Sequence, residues 1–230
     1  MPSPTQKYKL ADRGCKKTLL LVPGWAADCR IFSPVDLEFN YLMPLDLSPH
    51  SFEEDLLAAM EENGLKKISI LGWSLGGFLA HQFSARHTDV VDEAVLVGVR
   101  KKYELAAIEN IKSILRKNKR AYLYKFYKDC FSPDERETYR WFGGSLMKDY
   151  LDTMGLDRLI DGLDYLSECR IDPKSPEGVK VRLVHGSADR IAPIGEAPAI
   201  ELITMEGAGH MPFLSPQFKK VFDDADTLQQ

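Results

Sequence analysis

The stretch from residue 68 to residue 80, ISILGWSLGGFLA, constrains the fold of this chain more than any other. An apolar run leads into a serine bracketed by glycines, and an amphipathic segment follows, a pattern that predicts a strand, a tight turn and a helix. Ser74 lies at the apex of that turn. A side chain at Gly72 or Gly76 would crowd it, and Gly77 lets the helix approach the sheet closely. The segment matches Gly-x-Ser-x-Gly, a motif that presents a nucleophilic serine.

Apolar runs that alternate with helical patterns surround this motif and predict a mostly parallel, doubly wound α/β sheet. An edge strand is expected near Tyr8. The predicted inner strands cover residues 18–22, 39–43, 67–71, 94–99, 179–184 and 199–204. A helix that follows residues 39–43 is expected to begin at Ser51, as an N-cap with Glu54 three residues on.

The alternation stops after residue 99 and resumes near residue 178. Between these points the apolar residues follow helical spacing, as at Ile108, Ile111 and Leu115. We therefore expect an α/β core formed by residues 1–99 and 178–230, with residues 100–177 inserted as a helical cap.

To act as a nucleophile, a serine hydroxyl needs a base that takes its proton, and that base needs an acidic side chain to orient it. Asp189 and His210 follow Ser74 in the chain order Ser, Asp, His, and each lies just beyond a predicted strand, where open α/β sheets gather their sites. Of the five histidines, His50, His81, His87 and His185 fit structural roles better, so His210 is the predicted base. Two backbone N–H groups are expected to bind the oxyanion, those of Leu75 and Trp25.

With these residues in place, the chain resembles the α/β-hydrolase superfamily over nearly its whole length. Within it, the sequence looks most like the pimeloyl-[acyl-carrier protein] methyl ester esterases of biotin biosynthesis. The likeness rests on residues 72–77 (GWSLGG), on Gly24-Trp25 and on residues 209–213 (GHMPF). It implies an esterase that cleaves a methyl ester through an acyl-serine intermediate, without metal or organic cofactor. It also implies that Phe126 lines the acyl pocket.

Two positions depart from the family pattern. Pro23 precedes Gly24 where the family usually has histidine, which changes the loop that carries Trp25. The glycine-rich turn expected after the second inner strand is reduced to residues 46–49, which predicts a more open site on that side.

Composition excludes several classes of protein. The chain has 230 residues, of which 44% are hydrophobic and 28% charged, as in a folded globular protein. The first residues lack the pattern of a secretory signal, and no apolar run approaches the ~20 residues that cross a bilayer. Four scattered cysteines argue against a zinc or redox site. We therefore expect a cytoplasmic monomer without membrane contact.

Residues 100–128 carry ten basic side chains against two acidic ones, although the whole chain has a net charge of −4. Lys112, Arg116, Lys119 and Arg120 follow helical spacing, and such a basic face can steer an acidic partner. The alternative is an ordinary solvated helix surface. We take Arg116, Lys119 and Arg120 as candidate contacts for an acidic acyl-carrier protein, because no nucleic-acid-binding motif accompanies the charge.

Several functions are compatible with the same serine site. A small-molecule or carrier-bound acyl ester is the favoured substrate, and a generic short-chain esterase is the simpler version of that hypothesis. A lyase or synthase of the menaquinone-pathway type would use the same three residues. A non-catalytic binding module on this fold is disfavoured by the complete Ser, Asp and His set.

Overall fold

The computed structural model describes residues 6–172 and 178–223. These residues form a seven-stranded sheet in the order β1-β3-β2-β4-β5-β6-β7, in which β1 is antiparallel to β3 and the other neighbours are parallel. The strands are β1 (Tyr8–Ala11), β2 (Thr18–Val22), β3 (Asn40–Pro44), β4 (Ile68–Trp73), β5 (Val91–Val97), β6 (Lys180–Gly186) and β7 (Leu202–Met205).

The inner strands are apolar because both faces of the sheet are covered. β2 and β4 are buried at every position, as expected for parallel strands between two layers. The predicted mostly parallel sheet is therefore confirmed. β5 begins at Val91, earlier than predicted, because its polar start is stabilised across the sheet: Glu93 accepts from the buried guanidinium of Arg182 at 2.7 Å.

The helices are α1 (Phe52–Glu62), α2 (Leu75–Arg86), α3 (Leu105–Asp129), α4 (Arg136–Phe142), α5 (Lys148–Thr153), α6 (Leu156–Glu168) and α7 (Lys220–Asp223). Ser51 is the N-cap residue of α1, as predicted, but the expected capping box with Glu54 is absent. The Ser51 hydroxyl donates to Asp55 Oδ2 at 2.7 Å and makes no capping hydrogen bond with the backbone of α1.

Helices α3 to α6 occupy the chain between β5 and β6, and α3 packs against α5 and α6. α3 is broken at Asn118, whose backbone leaves the helical region (φ −155°, ψ 81°) and whose Oδ1 accepts from the N–H of Ala121 at 3.0 Å. A side chain that caps the second half of the helix explains the break. We call α3 to α6 with their connections the cap. Residues 173–177 lie outside the described residues, and the cap limits 100–177 stay a prediction.

Within residues 6–172 and 178–223, no helix has the length and apolar character required to span a bilayer. Nor do the described His, Cys, Asp and Glu side chains include a group of three or more that could hold a metal ion.

Gly72, which precedes the serine turn, has no room for a side chain, so we expect a larger residue there to destabilise the fold. A Cβ at Gly72 would lie 2.3 Å from the carbonyl oxygen of Gly76, whereas a Cβ at Gly143 would meet nothing within 4 Å. We expect Gly72→Ala to lower the free energy of unfolding by about 3 kcal/mol, as overpacking does. Gly143→Ala, the control, should change it by less than about 1 kcal/mol. Urea denaturation measures both, and equal stabilities would contradict the packing argument.

Candidate active site

Ser74 connects β4 to α2 in a strained turn. Its φ is +54°, in the left-handed region that residues other than glycine rarely adopt. Close backbone packing holds this conformation: a Cβ at Gly76 would lie 2.3 Å from the carbonyl oxygen of Val22. The N–H of Ser74 donates to the carbonyl of Val97, at the end of β5, at 2.8 Å. The turn therefore sits at the carboxyl edge of the sheet, between β2 and β5.

Asp189 and His210 form a buried pair at the same edge. Asp189 follows β6, His210 follows β7, and His210 Nδ1 lies 2.7 Å from Asp189 Oδ2, with both side chains fully buried. The other carboxylate oxygen of Asp189 accepts the N–H groups of Ile191 and Ala192, each at 2.8 Å. Burial acts to raise the pKa of Asp189, but the attraction and hydrogen bond of His210 outweigh it, and the pKa is lowered. Asp189 is thus an ionised acceptor that orients His210.

His210 and Ser74 pack around the same end of β5. Ser74 binds the carbonyl of Val97, and the next residue, Gly98, has φ +59° and lies so close to His210 that a Cβ there would be 2.9 Å from Nδ1. Among the described residues, no partner accepts from or donates to the buried Nε2 of His210. A buried nitrogen without a partner is uncommon. Because Nδ1 faces Asp189, Nε2 is the nitrogen left to exchange a proton.

Trp73 joins the serine turn to the histidine loop. Its buried indole donates from Nε1 to the carbonyl oxygen of His210 at 2.8 Å, and its ring lies 5.5 Å from the imidazole. The same indole faces Gly24, where a Cβ would lie 2.9 Å from the ring and 3.1 Å from Ser74 Cβ. Trp73 therefore fixes the spacing of three loops at once.

Glu135, which the sequence did not single out, holds the histidine loop from the cap. Its Oε2 accepts the N–H of Ser132 at 2.7 Å and that of Gly209 at 2.9 Å, while the N–H of His210 donates to the carbonyl of Cys130 at 2.7 Å. Burial raises the pKa of Glu135, although both N–H groups oppose that rise. No local motif marks this residue, because its partner lies 74 positions away in the chain.

Trp25 and Leu75, the predicted oxyanion residues, flank Ser74. Leu75 begins α2, where helix N–H groups lack partners within the helix. Trp25 follows Gly24, and Ala26 beyond it has φ +58°. The cap supports this second strained loop, since Tyr127 donates to the carbonyl of Ala26 at 2.7 Å and Trp25 Nε1 donates to the carbonyl of Leu159 at 2.8 Å. The predicted oxyanion contacts are thus placed beside Ser74, and their role stays a prediction.

A cavity of about 180 Å³ opens onto Ser74 under the cap. Phe126 lies in its wall as predicted, edge-on to Trp25 with 5.0 Å between ring centroids. The lining residues are mostly apolar and aromatic, with two arginines and one serine: Trp25, Ser74, Arg100, Tyr103, Ala107, Ile108, Ile111, Tyr122, Phe126, Leu163, Leu166, Arg190 and Ile191. Such a cavity accommodates a short acyl chain.

Tyr103 brings a phenol to this cavity, and sequence analysis did not identify it. Burial raises the pKa of Tyr103 to about 12, against the attraction of Arg100 and a weaker effect of Ser74, which lower it. The phenol is therefore protonated near neutral pH and can donate a hydrogen bond.

The remaining histidines take structural positions, as expected. The buried His185 ring hydrogen-bonds through Nε2 to the carbonyl of Ala192 and lies 3.5 Å from Asp189 Oδ2, so it supports the turn that carries Asp189. His81 Nε2 is 3.1 Å from the carbonyl oxygen of Asp172, and burial lowers the pKa of that imidazole. His50 and His87 pair with carboxylates of Asp161 and Glu53.

Two of the four basic residues on the predicted α3 face form ion pairs within the cap. Lys112 is buried rather than solvated, and it pairs with Glu109 and Asp164, which corrects its placement on an open face. Arg120 pairs with Asp152, and Lys119 donates to the carbonyl of Met154. Of the three candidate carrier contacts, Arg116 alone is exposed and forms no ion pair with a described residue. Sequence counting missed the acidic partners because they lie on α5 and α6.

Comparisons with known proteins agree with this architecture. A family model described as the alpha/beta hydrolase family matches residues 19–219. An esterase from Exiguobacterium antarcticum superposes with a TM-score of 0.75 at 16% identity, over 97% of this chain and 96% of that one. A bromoperoxidase from Bacillus anthracis superposes with a TM-score of 0.74 at 18% identity, over 96% of this chain and 93% of that one.

A thermophilic esterase from Thermogutta terrifontis superposes with a TM-score of 0.76 at 17% identity, over 96% of this chain and 92% of that one. A comparison with curated protein sequences found no match. At these identities the structural likenesses establish the fold alone. Since the family model spans most of the sequence, this chain belongs to the alpha/beta hydrolase family.

Proposed function

We propose that this chain is a serine carboxylesterase in which Ser74 is the nucleophile, His210 the base and Asp189 the residue that orients the base. The observation that carries the proposal is the buried Nε2 of His210. It has no partner among the described residues, while Nδ1 is held by Asp189 and the strained Ser74 turn packs around the same strand end. A hydrogen-bonded Asp–His pair beside an activated serine is the arrangement of acyl-transfer enzymes.

In the proposed reaction, Ser74 Oγ attacks the ester carbonyl carbon and gives its proton to His210 Nε2. The bond to the alkoxy group then breaks, and His210 returns the proton to the leaving alcohol, which leaves an acyl-serine. Water attacks the acyl-serine, His210 takes a proton from it and returns that proton to Ser74, and the acid is released. The N–H groups of Leu75 and Trp25 stabilise the oxyanion in both steps.

We also propose a class of substrate for this reaction. The motif residues around Trp25, Trp73 and His210 favour a methyl ester of a medium-length acyl chain, with pimeloyl-[acyl-carrier protein] methyl ester in biotin biosynthesis as the favoured example. A mostly apolar cavity with Phe126 in its wall supports an acyl substrate. The exposed Arg116 supports an encounter with an acidic carrier, although its neighbours are paired within the cap.

Replacement of the nucleophile tests the chemistry. Ser74→Ala should lower kcat for p-nitrophenyl butyrate by at least about 10⁴-fold, because the acyl-serine cannot form. Ser84→Ala is the matched control on α2: its hydroxyl is buried without a hydrogen-bond partner among the described residues, so activity should stay within about twofold. Retained activity in Ser74→Ala would exclude the mechanism. Labelling of Ser74 by a fluorophosphonate without ester turnover would favour the lyase alternative.

Glu135 is proposed as a positioning residue for His210. Glu135→Ala leaves the N–H of Gly209 unpaired and loosens the histidine loop, so kcat should fall roughly 10- to 100-fold with a smaller change in KM. Glu135→Gln keeps an acceptor oxygen and should restore most of the activity.

The control for this prediction is Asp134→Ala, which removes the neighbouring exposed carboxylate and should leave kcat unchanged. Equal kcat losses in Glu135→Gln and Glu135→Ala would contradict the role of Glu135 as a hydrogen-bond acceptor.

The carrier proposal predicts a selective defect on α3. Arg116→Glu combined with Lys117→Glu reverses two exposed charges, so it should lower kcat/KM for methyl pimeloyl-carrier protein by about tenfold. Turnover of p-nitrophenyl butyrate should not change, because that ester needs no docking surface. Equal effects on both substrates would exclude a carrier contact at this face.

A further inference from the structure

The cavity next to Ser74 contains charge that ester hydrolysis does not explain. Arg100 and Arg190 both line it, and none of its described lining residues is acidic. A neutral alkyl chain would gain nothing from two guanidinium groups at its boundary, and burying part of an arginine without full pairing is unfavourable.

Arg100 is only partly paired. One of its terminal nitrogens forms an ion pair with Glu196, and its guanidinium lies over the ring of Tyr103, 4.9 Å from the centroid. Its Nε is buried and has no hydrogen-bond partner among the described residues. An unpaired N–H on a charged group is a strong donor site for an anionic acceptor.

Arg190 lines the same cavity and follows Asp189 directly in the chain. It is exposed and forms no ion pair within residues 6–172 and 178–223. Asp189 forms no ion pair with it, since the carboxylate of Asp189 binds His210 Nδ1 and the N–H groups of Ile191 and Ala192. Arg190 therefore brings an unpaired guanidinium group to the cavity.

The side of the ester that enters this cavity follows from the position of the base. His210 must protonate the leaving alkoxy oxygen, so the leaving group lies on the His210 side of Ser74. His210 is not among the described lining residues of the cavity, whereas Tyr122 and Phe126 of the cap are. The acyl portion therefore fills the cavity.

We infer that Arg100 and Arg190 form a subsite for a negatively charged group at the far end of the acyl chain, so that the preferred substrates are half-esters of short dicarboxylic acids. The inference rests on the proposed esterase function and favours a free half-ester over a carrier-bound one, because a carrier thioester at the far end of the chain would leave no carboxylate for the two arginines. A carboxylate on the acyl chain can accept from Arg100 Nε and from Arg190 while Ser74 attacks the ester carbon. Tyr103, protonated near neutral pH, adds a donor between the serine and Arg100.

The test compares two methyl esters with the same number of acyl carbons, monomethyl glutarate and methyl valerate, with methanol release as the measurement. Wild-type protein should hydrolyse monomethyl glutarate with a kcat/KM about tenfold or more above that for methyl valerate, the effect of a charge-assisted hydrogen bond. Arg190→Gln and Arg100→Gln should each remove most of that preference, chiefly by raising KM for monomethyl glutarate.

Arg136→Gln is the control for removal of a positive charge, since Arg136 is exposed on α4 and lies outside the cavity lining. It should keep the full preference. Equal kcat/KM for the two esters in wild-type protein, or the same preference in Arg190→Gln as in Arg136→Gln, would overturn the subsite. Failure of the esterase function gives a different result, because neither ester nor p-nitrophenyl butyrate would then depend on Ser74.

Discussion

The positive φ of Ser74 is the constraint on which the rest of the site depends. A serine in this conformation costs of order 1–3 kcal/mol and persists only where its surroundings leave it no alternative. Here the surroundings are backbone atoms: Gly72 and Gly76 allow β4, α2 and the end of β2 to approach within distances that any side chain would block. The strain is thus balanced by the burial of the central strands, and the serine projects at the carboxyl edge of the sheet.

Two further loops are held against this turn, and both are anchored by the cap. Trp73 and Glu135 fix the histidine loop from the sheet side and the cap side, through the carbonyl of His210 and the N–H of Gly209. Tyr127 and the carbonyl of Leu159 fix the loop that carries Trp25. Because the cap contacts both loops, a shift of the cap would move His210 and Trp25 together. The cap therefore contributes to the geometry of the candidate site as well as covering the cavity.

Local patterns predicted the features that depend on neighbouring residues. The sheet, its mostly parallel pairing and the placement of Ser74, Asp189 and His210 at strand ends follow from apolar runs and glycine turns. Glu135, Arg100 and Tyr103 escaped prediction because their partners are distant in sequence and no motif marks them. Lys112 was predicted to be a surface charge for the same reason: its partner Asp164 lies on α6, far from it in the sequence. Helical spacing also could not reveal the break at Asn118, which depends on one side-chain cap.

These ion pairs bear on which charged groups could select a substrate, those on the outer face of α3 or those that line the cavity. Sequence counting places an excess of positive charge on the outer face of α3, but Arg120 and Lys112 form ion pairs with Asp152 and Asp164 within the cap. The cavity differs from that face, because its positive groups are not fully paired. Arg190 has no described carboxylate partner, and Arg100 retains a buried N–H without an acceptor. The Arg100 side chain is only partly exposed, so solvent and salt screen its charge less than the charges on the exposed face of α3. We therefore expect Arg100 to discriminate between charged and neutral substrates more strongly than the outer face of α3.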